Sequence, residues 1–188
     1  MRARHPLPRL WLLSDARNDA ALEGALRGLP RRSGFVFRHY HLPPAERRAR
    51  FCLLRRVCRQ RGHLMILAGS ARTARAWGAH GSYGAPPLRR AGCAGLLAIA
   101  SAHDLREIAA ANRTGGAAIL LSPVFPTRSH PGAATLGPVR FRLLAARAAV
   151  PVIALGGVDA PRARRLGWPR WAAIDGLSGG PRSLPPAP

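Results

Sequence analysis

Lysine is missing from this chain altogether. All 30 basic residues are arginine, against eight acidic residues, and the formal net charge is +22. Without lysine there is neither a Schiff base nor a lysine general base on which to build a mechanism. So complete a replacement, in a chain also rich in Ala, Gly and Pro, reads as GC-rich codon usage rather than selection for one partner. The charge acts whatever its origin: it concentrates anions and promotes loose, salt-sensitive adhesion to nucleic acid. Carboxylates are scarce, which leaves few oxygen ligands for a hard cation. Cysteine is scarce as well. Cys52, Cys58 and Cys93 are odd in number and show no CxxC spacing, as expected of small thiols in a reducing cytoplasm rather than of a disulfide framework or a zinc site. No apolar run reaches membrane-spanning length. The N-terminus is basic, then apolar to Leu13, then interrupted by Asp15, and it reads as a first strand after a short arm rather than a signal peptide. No zinc pattern, helix-turn-helix signature or RNA-binding aromatic motif accompanies the charge, so neither a specific nucleic-acid partner nor a membrane partner is expected.

Short apolar runs recur along the chain, at Leu10–Ser14, Gly34–His41, His63–Ala68, Gly81–Gly84, Gly95–Ala100, Ala117–Leu121, Val150–Leu155 and Trp171–Ile174. Bounded by Gly, Pro or Ser and too short for helices, they predict buried strands. Helical patterns lie between them: Asn18–Gly28, Ala45–Gln60 behind Pro43-Pro44, Ala71–Trp77 behind a Ser70 cap, His103–Asn112 behind Ser101, Val139–Ala149 and Pro161–Leu166. Strands alternating with helices imply a parallel sheet with right-handed crossovers. Eight strand candidates in 188 residues suit a compact α/β fold, a (β/α)8 TIM barrel, with a doubly wound open sheet as the alternative. Residues 1–178 read as the barrel domain and 179–188 as a flexible C-terminal tail, with the final helix either missing or replaced by this Pro- and Gly-rich stretch.

In such a barrel, function sits just after the strands. After the sixth comes Ser122-Pro123-Val124-Phe125-Pro126-Thr127-Arg128-Ser129-His130-Pro131-Gly132. This is a proline-stiffened loop dense in phosphate donors, and long enough to suggest function. After the seventh comes Leu155-Gly156-Gly157-Val158, whose glycines let backbone N–H groups approach a ligand. After the eighth comes Asp175-Gly176-Leu177-Ser178. The seventh and eighth loops together form a recurrent phosphate cradle.

These segments resemble the thiamine phosphate synthase and thiazole tautomerase superfamily, whose pattern after the sixth strand reads roughly G-P-V-F-P-T-x-T-K-x-x-A followed by L-G. Here the counterparts are Ser122–Ala134, then Leu136-Gly137. Pro151–Val158, Ile99–His103 and Leu10–Asp15 resemble further family segments. The resemblance implies a (β/α)8 barrel. It also implies coupling of a hydroxymethylpyrimidine diphosphate to a thiazole phosphate, with release of pyrophosphate and with Mg2+. It suggests that Thr127, Ser129, Gly157 and Ser178, with Gly156 and Gly176, hold the thiazole phosphate, and that Ser101 and His130 lie near the diphosphate. Four catalytic candidates follow: His130, Ser101, His39 and His41. In a gapless alignment His39 and His41 take the Arg and Lys places of the family's Gln-x-Arg-x-Lys. The family's magnesium-binding acids fall on Ala68-Gly69 and within Gly84–Pro87, so no metal ligand is expected here. That departure opens a metal-free thiazole tautomerase-like activity, with His130 moving the proton, or a non-catalytic descendant that keeps the thiazole phosphate.

His39 and His41 alternate with Tyr40 and share one side of a strand; that side is either the barrel interior or a solvated exit. His103 is expected at the surface. Asp15 and Asp175, at the ends of adjacent strands, are expected to pair with arginine. The arginines at 47–50, 55–59 and 162–165 read as solvated helix faces.

Overall fold

A computed structural model describes residues 6–85, 95–128, 132, 134–175 and 177. Eight parallel strands close on themselves: β1 (Leu10–Leu13), β2 (Gly34–Phe37), β3 (Leu64–Ala68), β4 (Gly81–Gly84), β5 (Leu97–Ala102), β6 (Ala118–Leu121), β7 (Val152–Ala154) and β8 (Trp171–Ala173). The pairing of β8 with β1, Trp11 opposite Ala172, makes the barrel and excludes the open sheet. Every residue of β1, β2, β3, β6 and β7 is buried. That is why these strands read as unbroken apolar runs rather than alternating ones.

Six helices cover the barrel among the described residues: α1 (Leu22–Gly28), α2 (Pro44–Arg61), α3 (Ala71–Trp77), α4 (Leu105–Thr114), α5 (Gly137–Ala145) and α6 (Ala160–Leu166), with a 3-10 turn at Ala16–Ala21 leading into α1. Ser70 caps α3 as expected; α4 is capped by the Asp104 carboxylate, not by Ser101. The C-terminal tail 179–188 lies outside the described residues.

One core fills the barrel and two more lie between sheet and helices. Trp11, Leu13, Val36, Ile66, Ile99, Leu120, Ile153 and Ala172 pack inside. Gly34 is required there: a Cβ on it would sit 2.1 Å from Trp11 Cε3. Phe35, Phe37, Phe51, Leu54 and Met65 pack outward under the early helices, and Ile108, Ile119, Phe141 and Val158 under the late ones.

The second strand is shorter than expected. It leaves the ladder at Phe37, and His39 adopts a left-handed φ of 41°. His39 stacks on Phe37, 4.6 Å between ring centroids, so it lies on the side facing the helix layer, not the barrel interior.

Candidate functional site

The strand C-terminal ends form a mouth with two halves. In the late half, the chain after β6 is zipped to the chain after β7: the Val124 amide donates to Leu155 O at 2.9 Å and the Phe125 amide to Gly156 O at 3.0 Å. The two glycines make this approach feasible. Gly156 has φ 91° and a Cβ there would lie 2.6 Å from Pro123 Cα; Gly157 has φ 60° and its Cβ would lie 2.3 Å from Pro126 O. The loops enclose an open cavity of ≈ 240 Å³. Its lining includes Thr127, Arg128, Gly156, Gly157, Arg162 and Asp175. Arg162 clasps the wall: Nη1 donates to Gly157 O at 2.6 Å, and the guanidinium lies 5.5 Å from the Phe125 ring centroid. Thr127 and the glycine pair are thus brought together on one cavity. Ser129, His130, Gly176 and Ser178 lie outside the described residues.

The early half is a network of fixed charges. Asp15 accepts from Arg17 Nε and from Arg38 Nη2, each at 2.8 Å, and Arg17 Nη1 reaches Asp175 at 3.3 Å. Asp15 and Asp175 therefore pair with arginine, as expected. Burial alone would raise the Asp15 pKa, but the hydrogen bonds and charges of Arg17 and Arg38 outweigh it and hold the carboxyl below its ordinary value. Asn18 ties the seam of the barrel by donating to Leu13 O and Ile174 O at 3.0 and 2.9 Å.

Behind Arg38 runs a buried chain of hydrogen bonds. Ser14 Oγ accepts the Arg38 amide at 2.7 Å and lies 2.7 Å from His39 Nδ1, while His39 Nε2 lies 2.7 Å from Asp19 Oδ1. A carboxylate only accepts, so Nε2 carries the proton and Nδ1 takes the Ser14 hydroxyl. Burial lowers the His39 pKa against the opposing pull of Asp19, which keeps the ring neutral. Ser14 is fully buried, so this Ser–His–Asp row positions the Arg38 backbone and offers no nucleophile. His41 is exposed, with its ring 5.2 Å from that of His39. Ser101 bonds the hydroxyl of Tyr83, whose pKa burial raises, and neither lines the late cavity.

Sequence reasoning missed Arg38 and Tyr83, and it read Arg162 with the rest of 162–165 as a solvated face, whereas Arg162 lines the late cavity. It also misjudged two arginines of α2. Arg47 donates to Arg38 O and Ala68 O, and its guanidinium lies 5.6 Å from the Phe37, Tyr40 and Trp77 ring centroids. Arg50 pairs with Asp19 and Glu23. Both are structural clasps, not solvated groups. His103 is exposed, as expected, and pairs with Glu107.

Magnesium fits these residues poorly. At the early mouth both oxygens of Asp15 are engaged by guanidinium groups, and Asp19 is engaged by His39 and Arg50. Ala68-Gly69 and Gly84-Ala85 end β3 and β4 without an oxygen-bearing side chain. Among the described residues no cluster of three His, Cys, Asp or Glu is placed to hold a metal ion.

A family model described as thiamine monophosphate synthase matches residues 13–174. A protein of Aquifex aeolicus strain VF5 named "Putative thiamine-phosphate synthase 2" is 40% identical over 58 residues, and the match spans 31% of each chain, about a third of that relative's length. The structure of thiamine phosphate pyrophosphorylase from Pyrococcus furiosus superposes with a TM-score of 0.75 at 23% identity, covering 90% of both chains. That of thiamine phosphate pyrophosphorylase from Bacteroides thetaiotaomicron superposes at 0.58 and 14% identity, covering 88% of this chain and 82% of the other. At these identities the structures speak for the fold.

Proposed function

Because this chain belongs to the thiamine monophosphate synthase family, we propose that the late cavity holds the phosphate of a thiazole phosphate and that the protein couples it to a pyrimidine diphosphate. The observation that carries the reading is the zipped pair of loops, with Gly156 and Gly157 pressed against Pro123–Pro126 and Arg128 and Arg162 on the cavity wall. Backbone donors and guanidinium groups are the chemistry that a phosphate needs.

In the coupling, the bond between the pyrimidine methylene and the diphosphate oxygen breaks, and its electron pair leaves with pyrophosphate. The thiazole nitrogen lone pair then forms the new C–N bond. The protein has to neutralise the departing charge and shield the cation from water. Arg38, set by Ser14 and Asp15 at the early mouth, is the group for the first task, and Tyr83 with Ser101 form part of the wall for the second. No step is assigned to magnesium. The occupied Asp15 favours a second reading, in which the protein binds thiazole phosphate without coupling it, either moving a proton on it or simply holding it.

Calorimetric titration with thiazole phosphate, beside a coupling assay with magnesium or with chelator, tests both readings. Saturable binding with pyrophosphate release that Arg38→Gln abolishes supports coupling. Binding without release supports the second reading. Absence of binding at millimolar thiazole phosphate refutes both.

A further inference from the structure

The end of the barrel opposite the mouth carries charge that the proposed reaction does not use. Arg9 precedes β1, Arg31 and Arg32 precede β2, His63 precedes β3, His80 precedes β4 and Arg170 precedes β8. With Arg59 and Arg61 from the last turn of α2, they surround an open basin of ≈ 730 Å³. Among the described residues the lining holds six arginines and no carboxylate.

The basin's isolation from negative charge extends to the whole chain. Each of the eight acidic residues follows a strand or sits at the start of the helix after it: Asp15, Asp19, Glu23, Glu46, Asp104, Glu107, Asp159 and Asp175. All of them therefore lie at the mouth end. None of the ion pairs among the described residues involves an arginine of the basin.

Among the described residues, two donor nitrogens of the lining are buried without a hydrogen-bond partner, Arg61 Nε and Arg170 Nε; His63 Nδ1 is buried and unpartnered as well, but as an acceptor. Buried polar groups are ordinarily satisfied, and exceptions call for an explanation. The His63 ring is 1% exposed and is fixed from its other nitrogen, Nε2, which donates to Leu26 O at 2.9 Å. Arg32 is held in the left-handed region, φ 63°, with its amide donating to Arg61 O at 3.2 Å. The surface is thus ordered, dense in guanidinium groups, and short of anions.

We infer that this basin is a second anion site, which takes a small molecule of nucleotide size bearing several phosphates. The volume lies in the range of small-molecule pockets. Guanidinium forks match phosphate oxygens in pairs, and Leu7 with Pro6 and Pro8 offers an apolar edge for the rest of the ligand. The site is independent of the thiazole phosphate reading, because it lies at the other end of the barrel.

The test uses the full chain with inorganic tripolyphosphate and ATP as probes, by calorimetry at physiological salt. Two exposed lining residues are replaced together, Arg31→Gln and Arg59→Gln. A control of equal charge replaces exposed arginines elsewhere, Arg106→Gln and Arg140→Gln. A third protein carries Arg38→Gln at the mouth. Arg61→Gln with Arg170→Gln, which removes two of the orphaned groups, is added where it folds. The expected result is a loss of affinity of tenfold or more in the basin variants, less than twofold in the control, and binding intact in Arg38→Gln. Equal weakening in basin and control variants would show attraction by net charge alone and would overturn the site. So would loss confined to Arg38→Gln, which moves the binding to the mouth. A long single-stranded nucleic acid that binds the basin while both small probes fail to bind would also reject the small-molecule assignment.

Discussion

Replacing Gly157 by Ala tests whether the loops of the late cavity are held by contact or only by local backbone preference. Gly157 has φ 60°, and an added Cβ would stand 2.3 Å from Pro126 O and 2.9 Å from Phe125 Cβ. The left-handed conformation alone costs an alanine about 1 kcal/mol. Forcing a methyl group against fixed backbone adds about 1–3 kcal/mol, giving about 2–4 kcal/mol in all. Gly137 supplies the control. Its φ is 65° and nothing lies within 4 Å of the position a Cβ would take, so Gly137→Ala should cost only the conformational part, about 1 kcal/mol. For a domain of this size the melting temperature falls about 2–4 °C per kcal/mol. That predicts a loss of about 4–16 °C for Gly157→Ala and about 2–4 °C for the control. Thermal denaturation followed by circular dichroism measures both. The same displacement moves Phe125 and Pro126 away from the cavity, so thiazole phosphate should bind more weakly to Gly157→Ala and not to Gly137→Ala. Equal losses of stability in the two variants would refute the close approach, and unchanged affinity in Gly157→Ala would refute the placement of the phosphate.

Three further expectations follow from the early half and the core. His39 and His63 both have pKa values lowered by burial, so the unfolded chain takes up protons first as pH falls below about 6.5. Stability is therefore complete above that pH and declines as pH falls toward the folded values. Urea denaturation from pH 8 to 5 should show this slope, shallower in His39→Gln and His63→Gln, and an unchanged slope would contradict the neutral assignment. Asp19→Asn takes the charge from a carboxylate shared by His39 and Arg50, and should cost about 1–2 kcal/mol at neutral pH. Glu46→Gln, on the exposed start of α2, should leave the urea midpoint unmoved. Cys58 is buried and its thiol is pushed up to about 12 by desolvation, whereas Cys52 is exposed. Alkylation at mildly alkaline pH with peptide mapping should label Cys52 first and Cys58 only on unfolding; equal rates would show that the α2 face opens in the native state.

The late half of the mouth was legible in sequence because its chemistry is local. Pro123–Thr127 and Gly156-Gly157 are contiguous segments whose turn chemistry can be read without knowing what packs against them. The structure added the reason for the glycines, which is the contact between the two loops. The early half was not legible, because it depends on the side of the strand to which each residue points. Val36 faces the interior and Phe37 the helices, but both are apolar, so a strand buried on both faces carries no signal of its parity. With β2 ending at Phe37, the interior side continues to Arg38, and His39 is left beneath α2. A gapless alignment puts His39 and His41 in the places of the family's Arg and Lys; in the folded chain His39 faces the helix layer and Arg38 lies beside Ser14 and Asp15. Arg47 and Arg50 were hidden for a related reason. Their partners, Ala68 O, Asp19 and Glu23, are distant in sequence, and composition alone cannot separate a clasp from a solvated face.

Charge separates the two ends of the molecule. At the mouth, Asp15 and Asp175 balance Arg17 and Arg38, so this quartet is close to neutral. Asp159, which lines the late cavity, caps α6 by accepting the Arg162 backbone amide. Helix N-termini attract carboxylates and helix C-termini attract cations. In a βα barrel that preference sends acids to the mouth and arginines to the opposite face. A synthase in this fold has to work against that tendency, keeping its mouth positive enough for a diphosphate to leave, and the usual remedy is a bound cation. This chain does the reverse: it engages its early-mouth carboxylate with arginine. Arg38 is half compensated by Asp15, which tempers the charge it brings to the neutralising role proposed for it. The late cavity is not affected in this way, because it relies on backbone approach and on Arg128 and Arg162. Thiazole phosphate binding is therefore expected to survive changes at the early mouth that abolish coupling. The mass of uncompensated positive charge lies at the far end of the barrel, where the proposed coupling makes no use of it.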